Sequence, residues 1–555
     1  MKSTLGAPAV GALVIILVLD AIVAASPWAP PETPPHVQIE DTSYWMKSGQ
    51  ENLRRVLTMQ NNVKRARNVI IFIGDGMGPS TVTSGRIFKG QRKGKSGEEY
   101  KLFFEQFPST GFSKTYNVDK QVPDSAGTAT AIFSGVKAQY RMLGLNHGAK
   151  YNVCDKKVNE ESYLTTIASW AQESGMDTGF VTTTRVTHAT PGALYAHTNN
   201  RDWECDSQIP SRYRDVCIKD IARQLVEDAP GNKFKVIMGG GAGAMGMRLK
   251  SAPFDSDGCH RQDGRQLDRT WLEANPKAKI VTTTQELLSV NVTATDKLMG
   301  IFADSHLPYA AVKNDSVPTL ANMTVQAIKM LRKNRNGFFL LVEGGKIDLA
   351  HHQNYAQLAL HEVMELDDAV TAAAHSVDID ETLIIVTADH SHAFTMNGYP
   401  KRGNNILGLT TANENPQTFE TLSYANGPGY YYHRINETFV NQTWRNLEED
   451  ETKKTNPYYR HFAARYLKDE THGGEDVGVY AIGPYSHLFR STFEQNYIAH
   501  VVAYAACFKD WPSHCDQSYV RYYYDTKKYG TSSASALVPT FLILALVISH
   551  IMKYI

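Results

Sequence analysis

The sequence predicts an α/β protein whose mostly parallel central sheet is covered by helices on both faces. Two observations carry this. Short β-branched runs such as "VIIFIG", "KFKVIM", "FFLLV" and "TLIIV" are apolar without polar alternation, as strands buried on both faces require. Segments of helical periodicity separate them, so strand and helix alternate along the chain.

The elements follow in order. Lys2, an apolar run over residues 10–23 (interrupted by Asp20) and the small residues Ala24, Ala25 and Ser26 read as a signal peptide over 1–25. "RNVIIFIGDG" is a strand ending near Asp75, and "PDSAGTATAIFSG" is a helix of small residues opening at Ser125. "ESYLTTIASWAQESG" reads as an amphipathic helix stopped by Gly175, followed by the strand "DTGFVTTT". The scheme repeats in "CIKDIARQLVEDAPG" with "KFKVIMGGG", in "VQAIKMLRKNRNG" with "FFLLVEGG", and in "YAQLALHEVMELDDAVTAAAHS" with "TLIIVTADH". Over residues 396–466 the alternation lapses into Gly, Asn, Pro and Tyr, which suggests an inserted surface subdomain. The pattern resumes with "DVGVYAIGP" and a helix over 493–507.

The end of the chain, "GTSSASALVPTFLILALVISHIMKYI", places small residues before an apolar tail with only Lys553 as a basic flank. A membrane span needs about 20 apolar residues and usually a basic cytoplasmic flank. A glycolipid-anchor signal over 526–555, removed on maturation, fits better and leaves a mature catalytic domain over 26–525. The sequons at Asn291, Asn314, Asn322, Asn436 and Asn441 agree with secretion. So do Cys154, Cys205, Cys217, Cys259, Cys507 and Cys515, which lack zinc-knuckle spacing and read as disulfides, their pairing left open by spacing. With 57 basic and 57 acidic residues in 555, there is no charge excess for nucleic-acid binding.

In parallel sheets, ligands bind beyond the carboxyl ends of strands. Asp75, Glu343, Asp389 and His390 lie at three such ends. In "EGGKIDLAHH", Asp348 and His352 are four apart and share one helix face, with His351 also within reach. Carboxylates with imidazoles suit zinc, and all-oxygen sets suit magnesium. A metal centre is therefore expected, with His472 in "THGGEDV" a further candidate. Ser125 at a helix start reads either as a cap or as a nucleophile facing an anion.

"GDGMG", "PDSAGTATA", "TTRVTHATP", "VEGGKIDLAHH", "TADHSH" and "THGGEDV" occur in an order and spacing that resembles alkaline phosphatases of the animal type, over residues 45–516. The resemblance implies the alkaline phosphatase-like fold, a homodimer, a glycolipid anchor on the outer face of the plasma membrane, and hydrolysis of phosphate monoesters through a phosphoserine at Ser125. Two zinc ions and one magnesium ion are implied. Asp348, His352 and His472 match the first zinc site; Asp75, Asp389 and His390 match the second. Asp75 would be shared with magnesium, whose site Thr190 and Glu343 complete, and His188 would orient magnesium-bound water. Thr190 stands where animal members carry Ser, and either supplies a hydroxyl oxygen. Arg201 matches the phosphate clamp, a role for its planar double donor. His392 matches no ligand. Relatives on this fold that cleave diesters or sulfates use Thr or a modified Cys instead of Ser. A surface-anchored binding protein would be expected to show broken ligand positions. The family pairs Cys154 with Cys217 and Cys507 with Cys515, leaving Cys205 and Cys259 for an extra bridge.

One departure stands out. The family's fourth, calcium, site is built around a Phe-Glu step. Here Ala303 follows Phe302, Asp304 comes one position late, and the distal acid is shifted, Asp315 being followed by "SVPTL" with no Asp directly before Pro318. Calcium takes six to eight oxygens, so no high-affinity calcium site is expected.

Overall fold

The computed structural model describes residues 40–249, 255, 258–412, 415–434, 447, 456–509, 511 and 514–515. The signal peptide, the anchor signal and the sequons at Asn436 and Asn441 lie outside these residues. Eight strands are laid down first: β1 (Asn68–Gly74), β2 (Ser109–Lys114), β3 (Asp177–Arg185), β4 (Val236–Gly240), β5 (Ala278–Val281), β6 (Lys297–Ile301), β7 (Phe338–Gly344) and β8 (Thr382–Ala388). Two later strands, Val477–Ile482 and Ser491–Glu494, complete one ten-stranded sheet. Its order is Ser491–Glu494, β2, Val477–Ile482, β8, β1, β7, β3, β4, β6, β5. Pairing is parallel throughout except where Val477–Ile482 runs antiparallel to both β8 and β2.

The apolar runs explain the core. Every residue of β7 and β8 is buried, as are Val69 to Gly74 of β1. Their side chains alternate between two large clusters: Ile71, Leu341 and Ile385 pack on one face of the sheet, and Ile70, Phe72, Leu340 and Ile384 on the other. The mostly parallel, doubly covered sheet read from the sequence is the observed fold.

Two helices differ from their sequence readings. The segment read as one helix over residues 161–175 holds only the end of the helix Lys156–Ser162 and then, after a break at Tyr163, which bridges to Leu145, the helix Ile167–Glu173. Asp155 caps the first, and Thr165 and Thr166 favour an extended break before the second. The last helix begins at Tyr497, not 493, because Ser491–Glu494 pairs with β2 as an edge strand. In the stretch that lost its alternation, the described residues form small antiparallel pairs: Phe394–Met396 with Leu422–Tyr424, and Leu409–Ala412 with Asn415–Glu420. All three disulfides, Cys154–Cys217, Cys205–Cys259 and Cys507–Cys515, are formed.

Candidate metal centre and nucleophile

The site lies beyond the carboxyl ends of the three central strands β7, β1 and β8. Register pairs Gly74 with Gly344 and Ala388, so Asp75, Glu343 and Asp389 emerge side by side. All three are fully buried. Gly76 then turns the chain at φ +72°, and a Cβ there would lie 2.4 Å from the His392 ring. Glycine is therefore required by both conformation and space. Its N–H donates to Asp389 Oδ1 at 3.0 Å, joining two strand ends.

The helix Ser125–Ser134 settles how its first residue is used. Asp124 is the cap: its carboxylate accepts the N–H groups of Ala126 and Gly127. Ser125 is thus relieved of capping. Its hydroxyl lies 3.2 Å from His390 Nε2 and 3.4 Å from Asp75 Oδ1. Asp124 also receives Arg201 Nη1 at 3.1 Å, and Arg201 Nη2 lies 3.1 Å from His188 Nε2.

Three donor groups converge here. Asp348 Oδ1 lies 3.3 Å from His352 Nε2 and 3.2 Å from His472 Nε2, and those two imidazole nitrogens are 3.2 Å apart. The helix Lys346–His352 presents Asp348 and His352 on one face, while His472–Gly473 reaches the site by pairing with Ser391–His392. His351, the neighbour that spacing left open, points away and sits between Thr81 Oγ1 and the Tyr424 hydroxyl at 3.0 and 2.8 Å. In the second group, His390 Nε2 lies 3.4 Å from Asp75 Oδ1 and 3.3 Å from Asp389 Oδ2. In the third, Asp75, His188 and Glu343 each offer one atom within 4.8 Å of the others. Asp75 Oδ2, Glu343 Oε1, Thr190 Oγ1 and His188 Nδ1 are buried there without a hydrogen bond among the described residues. Glu343 Oε2 is held by the hydroxyls of Thr182 and Thr184. Orphaned buried polar atoms are costly unless something charged engages them, so the donor sets fit cations.

The electrostatics agree. Burial, followed by repulsion from Asp389, raises Asp75 well above the carboxylate range, and burial raises Glu343 to about 7. Burial raises Asp389 as well. Burial would also raise Asp348, but His352 and His392 outweigh it and hold the carboxyl well below its ordinary value. Burial and then the Arg201 charge depress His188 to about 3, leaving a neutral imidazole able to ligate. Burial likewise keeps His390 low and His352 at about 4.

Every site residue read from the sequence is brought to this one place, and His392, matched to no ligand, joins them. Its Nε2 lies 2.8 Å from Asp348 Oδ1 and its Nδ1 2.5 Å from Glu470 Oε2. Burial disfavours its charge, yet Glu470 and Asp348 hold it protonated to about 10. The "HSH" alternation, which puts His392 two residues beyond His390 on the same side of an extended segment, was the available signal. At the position of the expected missing calcium site, Asp304 Oδ2 is engaged by His260 Nε2 at 2.8 Å and by the Asp255 N–H at 3.0 Å. The Ala303 carbonyl accepts the N–H groups of Gly241 and Ala242.

Beside the centre a cleft of about 1000 Å³ is lined by His352, Lys346, Tyr309 and Arg141, among others. His352, His472 and Arg201 are partly exposed, whereas Asp75, Glu343, Asp389 and His390 are not. The accessible face is thus the imidazole and guanidinium side.

A family profile described as alkaline phosphatase matches residues 66–508. Among similar proteins, Alkaline phosphatase 4 of Drosophila melanogaster is 48% identical over 507 residues, covering 86% of this chain and 84% of that protein. The tissue-nonspecific isozyme of Homo sapiens is 42% identical over 490 residues, covering 86% of this chain and 90% of that one. Among solved structures, the alkaline phosphatase of Thermus thermophilus aligns with TM-score 0.57 at 20% identity, over 82% of this chain and 94% of that one, which bears on the fold. The chain belongs to the alkaline phosphatase family and is a metal-dependent phosphoric monoester hydrolase.

Proposed function

We propose that the enzyme hydrolyses phosphate monoesters through a phosphoserine at Ser125, with Arg201 as the phosphate clamp. The observation that carries this is the Ser125 hydroxyl, freed from capping by Asp124 and directed at His390 and Asp75. Asp348, His352 and His472 would hold one zinc ion, and Asp75, Asp389 and His390 a second. Their donor separations of 3.2–3.4 Å approach the edge of a tetrahedron with zinc-ligand bonds, about 3.3 Å for bonds near 2.0 Å. Asp75, Thr190 and Glu343, with His188 beside them, would serve magnesium, which prefers oxygen. Bound there, the ions would supply Lewis acidity, lowering the pKa of a coordinated hydroxyl and offsetting charge on the phosphoryl group.

The chain's own residues do the rest. Ser125 Oγ attacks phosphorus, the ester oxygen leaves with the substrate's alcohol or phenol, and water then displaces the serine to release phosphate. Arg201 is anchored on Asp124 through one nitrogen, which aims its guanidinium over the helix start. Asp124 and Arg201 thus fix the clamp relative to the nucleophile. Ser rather than Thr or Cys at this position, together with Arg201, favours monoesters over diesters and sulfates. Comparing turnover of an aryl phosphate with its diester and sulfate analogues tests this; preference for either analogue would refute it.

We further infer a secreted, glycosylated enzyme held at the outer cell surface by a glycolipid anchor and acting as a homodimer. The supports are the two chain termini, the sequons and the resemblance to animal enzymes, one of them named membrane-bound in Bombyx mori. No helix among the described residues is long and apolar enough to cross a membrane. A phosphatidylinositol-specific phospholipase is expected to release it from membranes, and sedimentation to give a dimer. Residues 26–525 would form the mature catalytic domain, with 396–466 an inserted surface subdomain. No calcium ion is proposed near Phe302, and tight calcium binding separate from zinc and magnesium would contradict this.

A further inference from the structure

Glu470 is buried, 1% exposed, and none of the donor groups above contains it as a ligand matched by resemblance. Its contacts nevertheless reach two members of the imidazole-rich group, His352 directly and Asp348 through His392. The carboxylate Oε2 lies 2.5 Å from His392 Nδ1, and His392 Nε2 lies 2.8 Å from Asp348 Oδ1. The other oxygen, Oε1, accepts the Ala393 N–H at 2.7 Å, which fixes the carboxylate plane. The backbone carbonyl of Glu470 lies 2.5 Å from His352 Nδ1, and its N–H donates to the His352 carbonyl at 2.8 Å. Two residues on, His472 is set by its own Nδ1, 2.7 Å from the Pro123 carbonyl.

A ligating imidazole binds through one nitrogen, and the partner of its other nitrogen sets ring orientation and tautomer. The Glu470 carbonyl can only accept, so His352 carries its hydrogen on Nδ1 and keeps Nε2 as a lone pair facing Asp348 and His472. Both nitrogens of His392 face carboxylate oxygens, so both donate, and the ring works as a rigid strut between Glu470 and Asp348.

We propose that Glu470 is a positioning residue for metal binding: its side chain orients Asp348 through His392 while its carbonyl orients His352. This rests on the reading of Asp348, His352 and His472 as a metal site. The Glu470→Gln change keeps the size and the backbone carbonyl but removes the charge and turns a donor or a weaker acceptor toward His392. Loss of such a partner ordinarily costs about 10- to 100-fold in metal affinity.

The test measures zinc per chain of the full-length enzyme after equilibration against graded chelator. In Glu470→Gln, one zinc equivalent should leave at about 10- to 100-fold lower chelator than in the wild type, with the other zinc and the magnesium retained. Excess zinc should restore kcat, which general misfolding would not permit. In the His392→Ala background the same change should have little additional effect, because its route is gone. Wild-type zinc retention in Glu470→Gln, or full additivity with His392→Ala, overturns the proposal. If Glu470→Gln does not accumulate folded, His392→Ala alone decides: it must release the same equivalent early, and wild-type retention overturns the strut. Failure of the underlying reading looks different, since Asp348→Ala would then leave both zinc equivalents in place.

Discussion

Arg201 Nη1 lies 3.1 Å from Asp124 Oδ2, the carboxylate that also caps the helix opening at Ser125. One acid therefore fixes both the start of the helix that opens at Ser125 and the direction of the guanidinium. Arg201→Lys keeps the charge but loses the planar fork. We expect KM for an aryl phosphate to rise about 10- to 100-fold, with metal content unchanged, the size of a lost charge-assisted hydrogen bond or two. Steady-state kinetics with metal analysis checks it.

Asp124→Ala should act on stability and on kinetics together. Loss of the cap costs about 1–2 kcal/mol, and releasing Arg201 should raise KM as well. Denaturant melts on the metal-loaded protein, alongside KM, measure the two effects. A kinetic defect with no loss of stability would contradict the shared role.

Thr190→Val removes a buried hydroxyl whose polar neighbour is the Glu343 carboxylate and which has no close hydrogen bond among the described residues. In a merely structural pocket this nearly isosteric change would leave magnesium content unchanged. If Thr190 ligates magnesium, the variant should lose magnesium on dialysis while both zinc equivalents stay.

Glu343 contributes one share of the pH dependence of the metal-free protein, beside Asp75 and Asp389, which burial also raises. Burial raises the Glu343 carboxyl to about 7 from an ordinary 4.5, so the folded state binds the proton more tightly than the unfolded state. That contribution is complete below the unfolded value and is lost as pH rises through about 7. The depressed imidazoles of His188, His352 and His390 pull the other way below their ordinary 6.5, so the Glu343 share is read as a difference: as pH rises through this window, the chelated enzyme should lose stability relative to chelated Glu343→Gln. Magnesium should restore Tm most at the alkaline end, where the carboxylate is ionised and free to ligate. Asp348, held low, contributes the opposite slope, lost only in acid below its ordinary 3.8.

The strand ends were legible because a buried parallel strand writes itself as an unbroken apolar run, and Asp75, Glu343 and Asp389 interrupt such runs at their carboxyl ends. The spacing of Asp348 and His352 was legible for a similar reason, being one helical turn. Spacing did not separate His351 from His352, since the choice depends on which side of the helix meets Tyr424. It also hid Glu470, whose contacts to His352 and His392 span 118 and 78 positions. The split of the segment ending at Gly175 was missed because an apolar period does not report a strand bridge at Tyr163.

The central claim is that Ser125 carries the phosphoryl group. Enzyme mixed with substrate is quenched in acid, where a serine ester persists, and the labelled peptide is mapped by mass spectrometry. One phosphoryl group should be found on Ser125, and Ser125→Ala should lose at least about 10³-fold in kcat while keeping its zinc and magnesium. Label on any other residue, or a Ser125→Ala enzyme that turns over at the wild-type rate, would contradict the account.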